Sequence, residues 1–446
     1  MKNSPENVAP SKHMDASSSR RLFLKSTAAA STLALLPQAV HAATNDTIKL
    51  GIVGCGGRGT GAAAQAMNAD DGVKLVAVCD VDRDMAQQKV ELLKKQKPNQ
   101  VDVPDEQIFS GFEDYKNVIS SCDVVILATS PGFRPLHFEE AVNQGKHVFM
   151  EKPVATDVRG IKRVLESAKI AKEKNLKVGV GLQRRHQPTY QDYIKRIQDG
   201  ALGDIVYMRA FWDGTARAGK EKRPDETELQ YQIRNWYYFT WLSGDHNVEQ
   251  HVHNLDVCNW AKGNVHPVRA QGMGGRQVRN KKINGQIFDH HFIEYEYADG
   301  TRMFSQSRQI PRCWKSVSES ITGTLGEAHF ERGRFSITGP KADAKRLRKG
   351  EDGHQLEHYP LFEAIRKNLP YNEAERGANA TMTAILGRMS NYSGQAVTWD
   401  EAMASNLTLV PDDLTSFDST APVQPDAEGW YPVAVPGQSN PYHRWY

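Results

Sequence analysis

The sequence predicts an α/β protein. Its first half reads as a doubly wound parallel sheet, and its second half as an α+β domain on a large, mostly antiparallel open sheet. Three observations predict this. Short apolar, β-rich runs alternate with helical stretches from residue 48 to 182. A glycine trio stands at the first strand-to-helix turn. Beyond residue 184 strand-like runs succeed one another with few helices between them. With 446 residues, 39% hydrophobic and 24% charged, the chain is long enough for two domains with buried cores. Five scattered cysteines make no disulfide framework and show no metal-ligand spacing, so they read as packing residues.

The N-terminus reads as an address. Arg20-Arg21 precede a short apolar stretch, Ser26 to Leu36, and then Val40-His41-Ala42, the pattern of a twin-arginine export signal cleaved after Ala42. The stretch is too short for a span of about 20 residues, although retention as an anchor stays open. Residues 1–42 hold five basic and two acidic residues, which accounts for the whole formal charge of +3. A neutral remainder gives no support to a nucleic-acid partner. The expected location is the periplasm, reached through the twin-arginine machinery. That compartment maintains no nicotinamide pool, so a dinucleotide would have to be held tightly and regenerated in place.

Each element follows in order. Ile48 to Val53 is a strand leading into Gly54-Cys55-Gly56-Gly57-Arg58-Gly59 and a helix over Gly61 to Met67. Gly54, Gly56 and Gly59 fit G-x-G-x-x-G, the turn at which a Rossmann sheet holds a pyrophosphate against a helix N-terminus. Val73 to Cys79 is a second strand ending in Asp80, 21 residues beyond Gly59. A carboxylate there accepts hydrogen bonds from ribose hydroxyls and repels a 2′-phosphate, which favours NAD over NADP. Arg83 weighs the other way, and a helix N-cap is the alternative role for Asp80. Asp123 to Thr129, Gly145 to Met150 and Lys177 to Leu182 continue the strands, with a helix from Asp157 to Lys174. Gly54, Asp80, Thr129 and Lys152 all fall at the carboxyl ends where such sheets bind ligands.

In the second half, strands are expected over Ile205 to Trp212, Val268 to Val278, Phe292 to Tyr297, Arg302 to Gln309 and Val317 to Gly323, with a hairpin turn at Ala298-Asp299-Gly300. Between them His246 to Ala261 reads as one helix carrying His246, Glu249, His253 and Asp256 on one polar stripe. That stripe fits three roles: a metal site at Glu249 and His253, a satisfied structural network, or acid–base machinery facing a hydroxyl.

These motifs resemble the Gfo/Idh/MocA oxidoreductases, named after glucose–fructose oxidoreductase and inositol dehydrogenase. The resemblance rests on GIVGCGGRG (51–59), VAVCD (76–80), ILATSP (126–131), GKHVFMEKP (145–153) and the acid-x-x-x-H-x-x-D element at 249–256, and it covers about residues 46–400. It implies that Lys152 hydrogen-bonds the reacting hydroxyl, with Pro153 helping to fix it, and that His253 is the general base. No metal is expected, and relatives exported by twin-arginine signals with their cofactor retained agree with a tightly bound NAD. Gly54, Gly56, Gly57, Arg58, Gly59, Asp80, Thr129, Ser130, Pro131, His137, Glu151 and Lys152 would contact the cofactor. Glu249 stands where the family usually has Asp, which leaves its role open. Arg185, His186, Tyr237, His246 and Glu249 are the substrate-binding candidates. The implied organisation is a leader (1–42), a Rossmann domain (46–183), a substrate and oligomerisation domain (184–402) and a tail (403–446) that wraps the body or a neighbouring subunit. A homo-oligomer, dimer or tetramer, is expected.

Three functions fit these residues. The first is a dehydrogenase moving hydride between a sugar or glycoside carbon, such as C3, and bound NAD, with a second sugar or keto-sugar resetting the cofactor. The second is a glycosidase working by transient oxidation, elimination and hydration without net redox change. The third is a non-enzymatic sugar-binding or regulatory protein on a degenerate scaffold.

Overall fold

The structure is a computed structural model and describes residues 46–446; the export signal read over 1–42 lies outside the described residues. The branched apolar runs form six strands: β1 (Ile48–Val53), β2 (Val73–Asp80), β3 (Ile108–Ser110), β4 (Val124–Leu127), β5 (His147–Met150) and β6 (Val178–Val180). They pair in parallel in the order β3-β2-β1-β4-β5-β6. Such strands must be apolar on both faces because helices cover both, and β4 is buried along its whole length. The covering helices are α1 (Gly57–Ala69), α2 (Arg83–Gln96), α3 (Tyr115–Ser121), α4 (Arg134–Asn143) and α5 (Val158–Glu173). Chain order reverses between β1 and β4, so a crevice opens beyond Val53 and Leu127, which are paired in register.

After α6 (Pro188–Gln198) the chain builds nine strands. These are β7 (Ile205–Asp213), β8 (Arg269–Gly275), β9 (His290–Glu296), β10 (Arg302–Arg308), β11 (Ser316–Gly323), β12 (Glu327–Glu331), β13 (Arg334–Ile337), β14 (Asp343–Arg346) and β15 (Val397–Thr398). Their order is β14-β13-β12-β11-β7-β10-β9-β8-β15, antiparallel except for the β7–β10 pair. The β9–β10 hairpin turns where expected, at Gly300. The β12–β14 meander goes beyond the strands expected from the sequence.

Four helices lie between β7 and β8: α7 (Glu228–Arg234), α8 (Thr240–Ser243), α9 (His246–Glu249) and α10 (Val252–Ala261). The single helix expected over His246 to Ala261 is therefore two. The His251 amide bonds back to the His246 carbonyl at 3.2 Å, a five-residue step that breaks the helical phase. Its buried ring is pinned there by Ser305 at 2.7 Å.

The C-terminal third returns to the first sheet through α11 (Gly353–Leu356), α12 (His358–Lys367) and α13 (Ala374–Ser393), followed by α14 (Trp399–Ala404). Helix α12 packs on α1 and β6, and α13 packs on α5, α10 and β8, so apolar packing runs without a break from the first sheet to the second. The tail wraps the body: the Asp157 carboxylate accepts from the Leu409 amide, and the Gln232 amide donates to the Val423 carbonyl. Among the described residues no helix is long and apolar enough to cross a membrane.

Candidate active site and cofactor cleft

The glycine turn is shaped by close approach. Gly54 sits at φ +95°, and a Cβ there would stand 2.5 Å from the Thr129 amide nitrogen. A Cβ on Gly59 would lie 2.0 Å from the Gly54 carbonyl oxygen, so only glycine lets α1 rest on β1. Gly56 and Gly57 differ: nothing stands within 4 Å of an added Cβ. Helix α1 also starts without a side-chain cap, so its first amides are unspent and its dipole faces the crevice. Open space beside free amides fits a pyrophosphate. Gly59→Ala should therefore lower the thermal midpoint even against nucleotide-stripped wild type. Gly56→Ala should leave that midpoint unchanged yet abolish nucleotide retention, as measured by scanning fluorimetry and nucleotide release.

Asp80, at the end of β2, accepts the Cys55 amide at 2.7 Å and the Asp82 amide at 3.1 Å, and burial raises its pKa. The N-cap of α2 is Asp82, which accepts from Met85, so the capping alternative for Asp80 gives way to its neighbour. Arg83 is drawn to the Ile108 carbonyl and to Asp105. A carboxylate has lone pairs beyond the two it spends here, leaving acceptors for ribose hydroxyls. Asp80→Ala should weaken NAD by about tenfold or more and narrow the preference over NADP, since hydrogen bonds to charged groups contribute about 1.5–3 kcal/mol.

Gly54, Gly56, Gly57, Asp80 and Arg83 line a cleft of about 840 Å³. Its far wall comes from the second half of the chain: Lys220, Arg223, Gln230, Arg234 and Trp236, with Phe417 of the tail. Thr129, Ser130 and His137 form its floor, and the Thr129 hydroxyl faces His137 Nδ1 at 3.3 Å. Burial, reinforced by Arg134, pushes His137 down to about 3, so it is neutral at ordinary pH. Arg134 is itself buried and donates to the carbonyls of Thr129 and Pro153, tying the ends of β4 and β5 together. Of the expected cofactor contacts, Arg58, Gly59, Pro131, Glu151 and Lys152 are outside the cleft lining, Pro131 in the turn entering α4. Arg58 and Glu151 form an ion pair at 2.9 Å.

At the end of β5, Lys152 Nζ donates to the Glu249 carbonyl at 2.6 Å and lies 3.5 Å from its Oε1. His253, 6% exposed, stacks at 6.1 Å on Trp212 of β7, and its Nδ1 has no protein partner. Burial first, and then the Lys152 ammonium, hold its pKa well below the usual value. A cation, a neutral imidazole with a free nitrogen and a carboxylate thus converge beside an aromatic face. Behind Trp212, Arg184 is paired with buried Glu319.

Four expected substrate contacts are taken up by the protein instead. Arg185 is bidentate to Asp256 at 2.7 Å, His186 lies 3.3 Å from Glu373, the Tyr237 hydroxyl accepts from Gln309, and His246 bonds Ser307. The polar stripe therefore splits. Glu249 and His253 stand beside Lys152, whereas Asp256 and His246 are buried in separate networks. Trp212 escaped notice because an aromatic in an alternating strand reads as core; Arg134 and Arg184 carry no sequence signal.

Residues 48–182 match the Gfo/Idh/MocA oxidoreductase family with its NAD-binding Rossmann fold. The chain is also 32% identical over 284 residues to an inositol 2-dehydrogenase of Cereibacter sphaeroides, 64% of this chain and 74% of that one. It belongs to the Gfo/Idh/MocA oxidoreductases. Against other curated relatives the match spans 43% to 64% of their length. The fold is shared with an aldose–aldose oxidoreductase of Caulobacter crescentus, at TM-score 0.63 and 17% identity over 79% of this chain and 99% of that one. It is also shared with a scyllo-inositol dehydrogenase of Lactobacillus casei bound to NAD(H) and scyllo-inositol, at TM-score 0.60 and 21% identity over 79% and 99%.

Proposed function

We propose that this protein is an NAD-dependent dehydrogenase acting on a ring carbinol of a sugar, glycoside or related polyol. The observation that carries the reading is the convergence of Lys152, Glu249 and His253 at the end of β5. Neutral His253 takes the hydroxyl proton as hydride leaves the carbon, and the Lys152 ammonium donates to the oxygen where negative charge develops. The Glu249 carbonyl fixes the direction of that ammonium. NAD bound on the glycine turn would supply the hydride acceptor. The face of Trp212 suits the apolar side of a sugar ring.

The nucleotide is held tightly, exported with the folded chain to the periplasm and reset in place by a second sugar. The leader at 1–42 supports export. The wall of residues 220–236 and Phe417 over the Asp80 end of the cleft supports retention. Internal resetting fits a family whose fold also serves an aldose–aldose oxidoreductase. The protein works as a homo-oligomer, supported by the register-paired Met273 and Phe292, which stand 73% and 36% exposed on the open sheet.

Denaturing the purified protein should release close to one NAD(H) per chain. The redox state of bound nucleotide should change when a substrate glycoside or polyol is added, with oxidised product accumulating. Release of NADP, or free sugar released without oxidised product, would overturn this assignment.

A further inference from the structure

At the turn entering α9 three fully buried side chains meet away from the Lys152 cluster. Asp245, at φ +83°, spends Oδ2 on the Phe288 amide and the Tyr392 hydroxyl. Its Oδ1, which also takes the Asn247 amide at 3.3 Å, faces two imidazoles: His291 Nε2 at 3.2 Å and His246 Nε2 at 3.6 Å. Neither nitrogen is aligned to hydrogen-bond that oxygen, and neither has another partner. Two unpaired ring nitrogens in a fully buried site carry a cost of about 1–3 kcal/mol each unless something else satisfies them.

The opposite ring nitrogens are already engaged. His246 Nδ1 lies 2.7 Å from the Ser307 hydroxyl, and His291 Nδ1 lies 3.0 Å from the Asn391 side-chain amide, whose oxygen has no partner. An asparagine can present either end of its amide. With the oxygen accepting from Nδ1–H, the lone pair of His291 Nε2 points inward. His246 does the same when its Nδ1–H donates to Ser307. Such outer partners are what fix metal-binding imidazoles.

We propose that Asp245, His246 and His291 bind one divalent ion of the zinc class. Their ligand atoms lie within 4.8 Å of one another. Adjacent ligands around such an ion, at about 2.1 Å from it, stand roughly 3.0–3.4 Å apart, close to the spacings from Oδ1. Two imidazoles and a carboxylate suit zinc, cobalt or iron rather than calcium. The ion would tie the start of α9 to β9 and so hold the turn whose Glu249 carbonyl grips Lys152. It would do so beside the guanidinium of Arg279, which is directed to the Phe288 carbonyl and Gln309.

The test is metal stoichiometry of the full chain by mass spectrometry. The protein is measured as purified, after stripping with a chelator, and after titration with Zn²⁺ or Co²⁺. One equivalent should rebind and raise the thermal midpoint, and the cobalt form should show visible bands of an enclosed low-coordinate site. His291→Gln and His246→Gln should each lose that equivalent. Failure of stripped wild type to take up either ion would overturn the proposal and leave the trio a polar network balanced by Arg279. So would a cobalt spectrum of a hydrated octahedral ion, or binding undiminished in both variants. The wild-type titration decides even where a variant does not fold.

Discussion

Lys152→Met should lower kcat by about 10²–10³-fold while bound nucleotide stays close to one per chain, because removing one donor aimed at a developing oxyanion costs about that much. Methionine keeps most of the apolar stem, so packing at the end of β5 is disturbed little. The variant also loses the donor to the Glu249 carbonyl and the cation that helps keep His253 deprotonated. Two signatures follow. The pH–rate profile of wild type should have its acid limb well below the ordinary histidine titration point. In the variant that limb should move up, since less opposes protonation of the ring; burial, the larger cause, remains. A merely structural lysine would move the limb through its charge but leave kcat at the pH optimum close to wild type. Turnover undiminished in the variant would remove Lys152 from the chemistry and favour the sugar-binding alternative.

The parts of this site legible in the sequence are those whose chemistry depends on local spacing. Gly54 is required by its left-handed backbone and Gly59 by its contact with the Gly54 carbonyl in the same strand–turn–helix unit, while Asp80 and Lys152 follow from their positions at strand ends. A periodic pattern can place these. What it could not place depends on the neighbour met across the fold. His246 and Asp256 share a helical stripe with Glu249 and His253 only if the helix is continuous, and the step at His251 is imposed by Ser305, 54 residues away. Arg185 looks exposed and available in sequence, yet Asp256, 71 residues on, takes its guanidinium. Trp212 gains its role only because β7 carries it beneath His253. The C-terminal helices α12 and α13, unread in sequence, close the first sheet and contribute His358 to its interior.

That interior makes the protein acid-sensitive before its carboxylates titrate. His137, His251 and His358 are pushed down to about 3, chiefly by burial, and His246 and His253 are lowered as well. Each stays neutral in the folded chain but binds a proton in the unfolded one below about 6.5. Their folded-state pKa values are depressed, so the stability they allow is complete above that point and is lost as pH falls below it. Buried Glu357, whose pKa is raised, runs the other way. His137, His251 and His358 alone lose about 3 kcal/mol between pH 6.5 and 5.5, or roughly 4 °C in thermal midpoint for a chain of this size. His358 isolates the cause. Both of its ring nitrogens are buried without partners, and the ring packs on Phe149 at 4.3 Å. His358→Phe keeps that aromatic contact and removes the proton acceptor. It should match or exceed wild-type stability at pH 7.5 and shrink the acid loss by about 1 kcal/mol. Thermal unfolding of both proteins at pH 7.5, 6.5 and 5.5 measures this, and equal acid losses would mean that His358 takes up no extra proton on unfolding.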